Sequence, residues 1–514
     1  NDAVRELMKE FNATYLTHVN PYTGLAYTHE PAVMGLLLTN ENDLTSHYGD
    51  KVLPGAGNPV HQAIFESRAA AFAIATGLPE AEVLDTSVPG PGKIFLNEQE
   101  HLFNVDLFQH LNGIGVRVPV ATTNMWGNSR LVSLPALAEG SIIDTHAYGS
   151  DEALSDNPRD DANFISWMGA SQVYGKPTSI TEWNVPYPNI DRFIAPLYVA
   201  SIASLQGWDA PMLFNYSSRA TFDLTGPVHA WSTFVDPALT GMMPAAAIAY
   251  RQGHISPANI SYCLDLDRSE AYFQELMPRN SRAIRTLMEQ SQFSVCLPDI
   301  PELDWDVASN PALDVIRVTD NAHDYIPSGQ SYVESDTGEL LRDWQVGFQT
   351  IDTEKTQAAS GWIGGRQIDL QNVSFEISTP KASVALSSLD GLPLDSSRDI
   401  LISALAQAGT PDGDLPLLAE PVVGTLTLTA DPGLTLLPIN ADGSEGTAID
   451  PTYDGEAYTL ALDGATHWYT LVPEPSSRVL QISSLLALFV CVGVRRRWQE
   501  CSQGRHEVMV SCVC

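Results

Sequence analysis

The chain has 514 residues, enough for at least two domains, and its 62 acidic residues outnumber its 27 basic residues to give a formal net charge of -35. This charge argues against nucleic acids and polyanionic substrates as partners, because both would be repelled. All six cysteines lie at or after Cys263, so the first 262 residues contain neither a disulfide nor a thiolate metal site. Cys263 and Cys296 could pair in an exported protein, and two free buried thiols are the alternative.

The first 255 residues alternate between helical and strand patterns. Apolar residues at helical spacing predict an amphipathic first helix, with an apolar face made of Val4, Leu7, Met8, Phe11 and Tyr15. The apolar run at 36–38 predicts a strand buried on both faces, as in parallel sheets. Further strands are predicted at 116–122, 141–148, 178–184 and 211–214, and further helices at 59–75, 164–174 and 190–205.

This alternation is typical of parallel βα units. Five strands are predicted before residue 220, whereas eight close a barrel. The predicted fold class is therefore α/β. We expect residues 1–255 to form a (β/α)8 TIM barrel that lacks about its first three βα units, and we expect the chain to be inactive as it stands.

The pattern changes after the barrel. Residues 256–330 have no clean period and are predicted to be a connector with some helix. In residues 331–471, apolar residues such as Val373, Phe375 and Ile377 alternate with polar ones between frequent turn residues, which predicts a C-terminal β-sandwich domain. A stabilising domain is the favoured interpretation, and sugar binding is the alternative.

The end of the chain carries a different signal. Residues 472–497 contain Val-Pro-Glu-Pro, a largely apolar run at 479–494 and three consecutive arginines, and residues 498–514 form an atypical tail. This segment resembles the PEP-type sorting signal of exported Gram-negative proteins. The resemblance implies a hydrophobic helix that engages the membrane until a sorting protease cleaves nearby, and an exported protein at the cell surface or outside the cell. The alternative is a buried C-terminal helix.

Two glutamates carry the predicted chemistry. Glu41 and Glu182 each lie at the carboxyl end of an apolar strand of the βα series, where barrel enzymes place catalytic side chains. Two such carboxylates suit glycoside hydrolysis, in which a protonated one donates to the leaving oxygen while an ionised one attacks the anomeric carbon. A solvated loop residue is the alternative for either one.

Three short motifs resemble those of clan A glycoside hydrolases, the cellulase- and mannanase-like (β/α)8 enzymes, over about residues 1–255. Thr-Asn-Glu-Asn at 39–42 resembles their fourth-strand acid/base motif, and Ile-Thr-Glu-Trp at 180–183 resembles their seventh-strand nucleophile motif. His-Ala-Tyr at 146–148 is similar to their sixth-strand His-x-Tyr.

The resemblance implies a role for each matched residue. Glu41 would be the acid/base and Glu182 the nucleophile. Asn40 would bind the sugar hydroxyl next to the anomeric carbon, Tyr148 would donate to Glu182, and His146 would bind sugar or brace the site. Where the family often has an eighth-strand tryptophan, this chain offers Tyr216. Further candidates for sugar contact, which could equally be packing residues, are Asn124, Trp126, Trp183, Tyr216 and Trp231.

The predicted function is that of an exported, retaining glycoside hydrolase acting on β-linked sugars of a poly- or oligosaccharide. It requires no cofactor and no metal. The alternative is a non-catalytic cell-surface or carbohydrate-binding protein whose barrel is a remnant.

Overall fold

The computed structural model describes residues 1–48, 57–218, 222 and 224–473. In its first part, helices alternate with short parallel strands, which confirms the α/β prediction. The helices are α1 (Asp2–Leu16), α2 (Pro59–Thr76), α3 (Glu80–Leu84), α4 (Pro91–Gly113), α5 (Leu134–Leu137), α6 (Phe164–Gly169), α7 (Ala195–Gln206) and α8 (Pro237–Arg251). The strands are β1 (Leu36–Leu37), β2 (Val120–Ala121), β3 (Asn124–Trp126), β4 (Ile143–Tyr148), β5 (Thr178–Asn184) and β6 (Ala210–Leu213).

All neighbouring strands of this part run parallel. Strand β1 pairs with β2, and β3, β4, β5 and β6 pair in that order. Parallel pairing requires a crossover between successive strands, and α5, α6 and α7 lie in these crossovers. The carboxyl ends of the strands therefore meet at one edge, while a closed barrel of eight strands stays a prediction.

Two elements near the start differ from expectation. Strand β1 has two half-buried residues rather than being buried on both faces, and β2 is its one pairing partner among the described residues. Helix α4 was not predicted, because its buried positions include polar residues such as Asn97 and Asn104 that blur the apolar period. These amides donate to the carbonyls of Val132 at 2.7 Å and Ala136 at 3.2 Å, which satisfies them inside the protein.

Helix α1 forms as predicted, but its apolar face is turned to solvent. Leu7 and Phe11 are 65 % and 66 % exposed. The charged face contacts the protein instead, since Lys9 Nζ lies 2.8 Å and Arg5 Nη1 3.4 Å from the carboxylate of Asp106 on α4. Ion pairs from the polar side thus orient the helix.

Residues 256–330 are more regular than the predicted connector. They contain α9 (Arg268–Tyr272), α10 (Arg282–Leu287), β8 (Ser261–Asp265), β9 (Gln292–Cys296) and β10 (Ile316–Val318), and the strands form a parallel sheet in the order β10-β8-β9. Strands of five residues or fewer are too short to show a period in the sequence. A disulfide between Cys263 and Cys296 joins β8 to β9, so the paired alternative is the one present.

The remaining strands are antiparallel. They are β7 (Gly226–Pro227), β11 (Tyr332–Glu334), β12 (Leu340–Asp343), β13 (Phe348–Asp352), β14 (Thr356–Gly361), β15 (Gln367–Asp369), β16 (Val373–Ile377), β17 (Ala382–Ser388), β18 (Ile400–Ala406), β19 (Ala408–Gly409), β20 (Asp414–Leu415), β21 (Leu418–Ala419), β22 (Val423–Thr429), β23 (Leu434–Ile439), β24 (Thr452–Tyr453), β25 (Ala457–Asp463) and β26 (Trp468–Pro473). An eight-stranded sheet has the order β11-β12-β13-β14-β17-β18-β26-β23, and a five-stranded sheet has the order β15-β16-β22-β25-β24. Buried side chains of both sheets, such as Val384 and Phe375, share one hydrophobic cluster.

No helix among the described residues is both long enough and apolar enough to span a membrane. Val472 and Pro473 end β26, and the rest of the predicted sorting signal, together with the tail at 498–514, lies outside the described residues.

A buried arginine connects the antiparallel part to the α/β part. Arg342, on β12, is 3 % exposed, and its Nε donates to Glu289 at 2.6 Å. Its Nη1 donates to the carbonyls of Leu154 at 3.0 Å and Asp156 at 2.8 Å. One guanidinium thus ties together three segments that are distant in the sequence.

The Asp156 carboxyl beside this contact predicts a pH effect on stability. Burial raises the pKa of Asp156 from 3.8 to about 6, and the nearby Arg342 lowers it only in part. Because the carboxyl of the folded protein holds its proton more tightly than that of the unfolded chain, this group's contribution to stability is full below pH 3.8. The contribution is lost as the pH rises through about 6. Asp156→Asn, which stays neutral, is therefore expected to raise the urea midpoint at neutral pH and to have no such effect at acid pH. Glu80→Gln, at an exposed carboxylate on α3, should change the midpoint at neither pH. A lower midpoint for Asp156→Asn at neutral pH would contradict this account.

Candidate active site

Three predicted site residues meet where the parallel strands end. His146 on β4 is in register with Glu182 on β5, and Glu41 follows β1. One carboxylate oxygen from each glutamate and one ring nitrogen of His146 lie within 4.8 Å of one another. The structure therefore brings together the two carboxylates that the sequence suggests as a pair.

Asn124, at the start of strand β3, and the preceding Thr123 hold the backbone of Glu41 and Asn42 in place. The Glu41 N–H donates to Asn124 Oδ1 at 2.9 Å, and the Asn42 N–H donates to Thr123 Oγ1 at 3.1 Å. Glu41 has a φ of 47°, in the left-handed region that a residue with a side chain seldom adopts. Asn124 is completely buried and its amide binds protein groups, so the structure gives no support to the sugar contact predicted for it.

His146 connects the two glutamates. Its buried ring places Nδ1 2.7 Å from Glu41 Oε1 and 3.6 Å from Glu182 Oε2, while Nε2 lies 2.9 Å from Thr181 Oγ1. Burial lowers the pKa of His146, but the neighbouring carboxylates of Asp144, Glu41 and Glu182 together raise it by a larger amount, so the net shift of the pKa is upward. Since protein groups face both ring nitrogens, His146 has the geometry of a bracing residue.

Tyr148 donates a hydrogen bond from its hydroxyl to Glu182 Oε2. Burial, and then the hydrogen bond with Glu182 and its charge, raise the pKa of Tyr148 well above its usual value. The phenol therefore stays protonated at neutral pH and keeps donating. A donated hydrogen bond favours the ionised form of a carboxylate, which is the form that a nucleophile requires.

Asp144 is a site residue that the sequence analysis missed. Its carboxylate is fully buried and accepts from Ser179 Oγ at 2.5 Å, from Thr181 Oγ1 at 2.6 Å, from the Thr181 N–H at 3.1 Å and from the Asn124 amide. The sequence feature that could have identified Asp144 is its position as an acidic residue inside an apolar strand. A carboxylate is buried in such a strand only where hydrogen-bond donors surround it.

The remaining candidates lie at different depths. Trp183 is 2 % exposed in the core, so the structure gives no support to the stacking role predicted for it. Trp126 is half-buried, with its ring 4.1 Å from that of His47, and Trp231 packs edge-on against Tyr148 at 4.6 Å. Tyr216 is 57 % exposed. Asn40 is exposed next to Glu41, where a sugar can reach it.

The cluster of Glu41, His146 and Glu182 is also compact enough to surround a metal ion. However, His146 Nδ1 is already hydrogen-bonded to Glu41 at 2.7 Å. A proton between the two atoms accounts for that distance, and proton chemistry is what this cluster can perform directly.

No protein-family model matches the sequence, and no curated protein matches it. Among solved structures, the chain is similar to an endo-beta-1,4-mannanase from Thermotoga petrophila, at 12 % sequence identity and a TM-score of 0.26. The alignment covers 90 % of this chain and 71 % of the mannanase chain. A likeness of this size does not establish a shared fold.

Proposed function

We propose that the protein is a retaining glycoside hydrolase that cleaves β-linked bonds of a poly- or oligosaccharide. One observation carries the proposal: carboxylate oxygens of Glu41 and Glu182 lie within 4.8 Å of each other at the ends of parallel strands. Retaining enzymes keep their two carboxyl groups about 5–5.5 Å apart, whereas inverting enzymes leave room for a water molecule. The preference for β-linked sugars rests on the resemblance of the Glu41 and Glu182 motifs to those of clan A enzymes.

The proposed reaction has two steps. Glu182, which accepts a hydrogen bond from Tyr148, attacks the anomeric carbon while Glu41 gives its proton to the leaving oxygen, and a glycosyl ester of Glu182 forms. Glu41 then takes a proton from water, whose oxygen attacks the same carbon and releases Glu182. Asn40 would bind the hydroxyl beside the reacting carbon.

The stereochemistry of the product tests this proposal. Because the chain as it stands is expected to be inactive, activity is measured with a form that supplies the missing βα units. For that form, we expect proton NMR during hydrolysis of an aryl β-glycoside to show the β-anomer of the sugar first, with the α-anomer appearing later by mutarotation. A chelator should leave the rate unchanged. The α-anomer as first product would contradict retention, and sugar binding without hydrolysis would favour the non-catalytic alternative.

We also propose that the protein is exported. The disulfide between Cys263 and Cys296 supports this, because disulfides persist mainly in oxidising compartments. Fractionation followed by thiol labelling should find the protein outside the cytoplasm with both cysteines blocked. Cytoplasmic protein with both thiols free would contradict the proposal.

A further inference from the structure

Four hydrogen bonds from neighbouring groups surround the Asp144 carboxylate. Oδ1 accepts from Ser179 Oγ and the Thr181 N–H, and Oδ2 accepts from Thr181 Oγ1 and the Asn124 amide. A carboxylate oxygen has two lone pairs, so these four donors match the acceptor positions of the carboxylate, and His146 Nε2 lies farther from Oδ2 at 3.5 Å. Thr181 has a single hydroxyl proton, and it donates that proton in its hydrogen bond to Asp144.

The protonation of His146 follows from the hydrogen bond that Thr181 donates to Asp144. Thr181 Oγ1 can only accept in its 2.9 Å contact with His146 Nε2, so Nε2 carries a proton. A neutral imidazole has one N–H. The 2.7 Å contact between His146 Nδ1 and Glu41 Oε1 is then a hydrogen bond only if a second proton lies between these two atoms.

We propose that Asp144 and Thr181 form a relay that holds a proton on His146 Nε2. The relay thereby keeps a second proton on the Glu41–His146 pair, and this second proton is the one that Glu41 delivers to the leaving group. This inference rests on the proposed function. Asp144 and Thr181 are positioning residues, because they act through His146. Asp144 also holds the amide of Asn124, whose oxygen accepts the Glu41 N–H at 2.9 Å, so one buried carboxylate orients both partners of the pair.

The charges around His146 agree with this assignment. Three carboxylates face the ring: Asp144 on its own strand, Glu182 on β5, and Glu41 after β1. Tyr148, further along β4, directs its hydroxyl to Glu182. Each carboxylate favours a protonated ring, in keeping with the raised pKa of His146.

Thr181→Val tests the relay, because valine keeps the size of threonine and removes its hydroxyl. The substitution takes away the 2.9 Å acceptor of Nε2 and leaves the Asp144 carboxylate at the longer distance of 3.5 Å. A neutral ring with its proton on Nδ1 then becomes more accessible, and the pair loses its second proton more readily. For a substrate with a poor leaving group, we expect the basic limb of the pH profile of kcat/KM to shift to lower pH by about one unit or more. The acidic limb should stay at the same pH. Thr181→Ser should restore the profile.

Thr178→Val is the matched control. Thr178 lies on the same strand, and its buried hydroxyl has no hydrogen-bond partner among the described residues. The control should have the wild-type profile. A basic limb that stays in place in Thr181→Val, or that moves equally in Thr178→Val, would overturn the relay.

A second measurement does not depend on activity. In protein labelled with 15N-histidine, with His146 assigned by its loss in His146→Gln, we expect Nε2 to stay protonated on both sides of neutral pH. In Thr181→Val, an Nδ1–H form should appear at alkaline pH. An unprotonated Nε2 in the wild type would overturn the relay, whereas an inactive wild type with a protonated Nε2 would overturn only the proposed function.

Discussion

Glu182→Gln is expected to lower kcat/KM for aryl β-glycosides by about 10⁴-fold or more, because it removes the nucleophile of the proposed reaction. The amide keeps the shape of the side chain and can still contact Tyr148, so the fold should be unaffected. The loss should be similar for good and poor leaving groups, since both require the same attack on the anomeric carbon.

Glu41→Gln should behave differently, and the contrast identifies the two roles. Removing a general acid costs about 10²–10⁴-fold, and a leaving group that departs without a proton should lose much less in the first step. Glu80→Gln, at an exposed glutamate on α3, is the control and should keep wild-type activity. Initial rates with dinitrophenyl and unactivated glycosides measure the contrast. Activity that survives both site substitutions would refute the assignment.

Arg342→Met is expected to lower the free energy of unfolding by about 3–5 kcal/mol, the second large effect, because it leaves Glu289 buried without its cation. The Arg342 and Glu289 side chains are 3 % and 8 % exposed, so water cannot replace the lost partner. The carbonyls of Leu154 and Asp156 lose their donors in the same substitution. Urea unfolding followed by tryptophan fluorescence measures the change.

The double variant Arg342→Met with Glu289→Met separates charge from packing. It removes both charges, so it should recover most of the loss. Arg366→Met, at an exposed arginine, is the control and should stay within about 0.5 kcal/mol of the wild type. A single-variant loss below about 1 kcal/mol would mean that the pair behaves like an exposed one.

The part of the site that could be predicted depends on a general property of parallel sheets. Residues that follow parallel strands meet at one edge, which is why Glu41 and Glu182 can be paired although 141 residues separate them in the sequence. The stacking role of Trp183 has no such geometric basis in the sequence, and the structure buries Trp183 in the core.

Other features depend on contacts that the sequence does not display. Asp144 binds residues from β3 and β5, and its role is defined only once those strands are aligned. The orientation of α1 depends on ion pairs to Asp106, about 100 residues away. Local periodicity predicts that a helix is amphipathic, but distant partners decide which face turns inward.

Two opposing forces act between copies of the protein, and the exposed apolar face of α1 provides the attractive one. The net charge of -35 repels copies at long range, and salt screens that repulsion to within about 10 Å at 0.1 M. The attraction between apolar faces acts at contact and is not screened, and sulfate strengthens it. The protein is therefore expected to stay dispersed in dilute buffer and to cluster reversibly through α1 as salt is added.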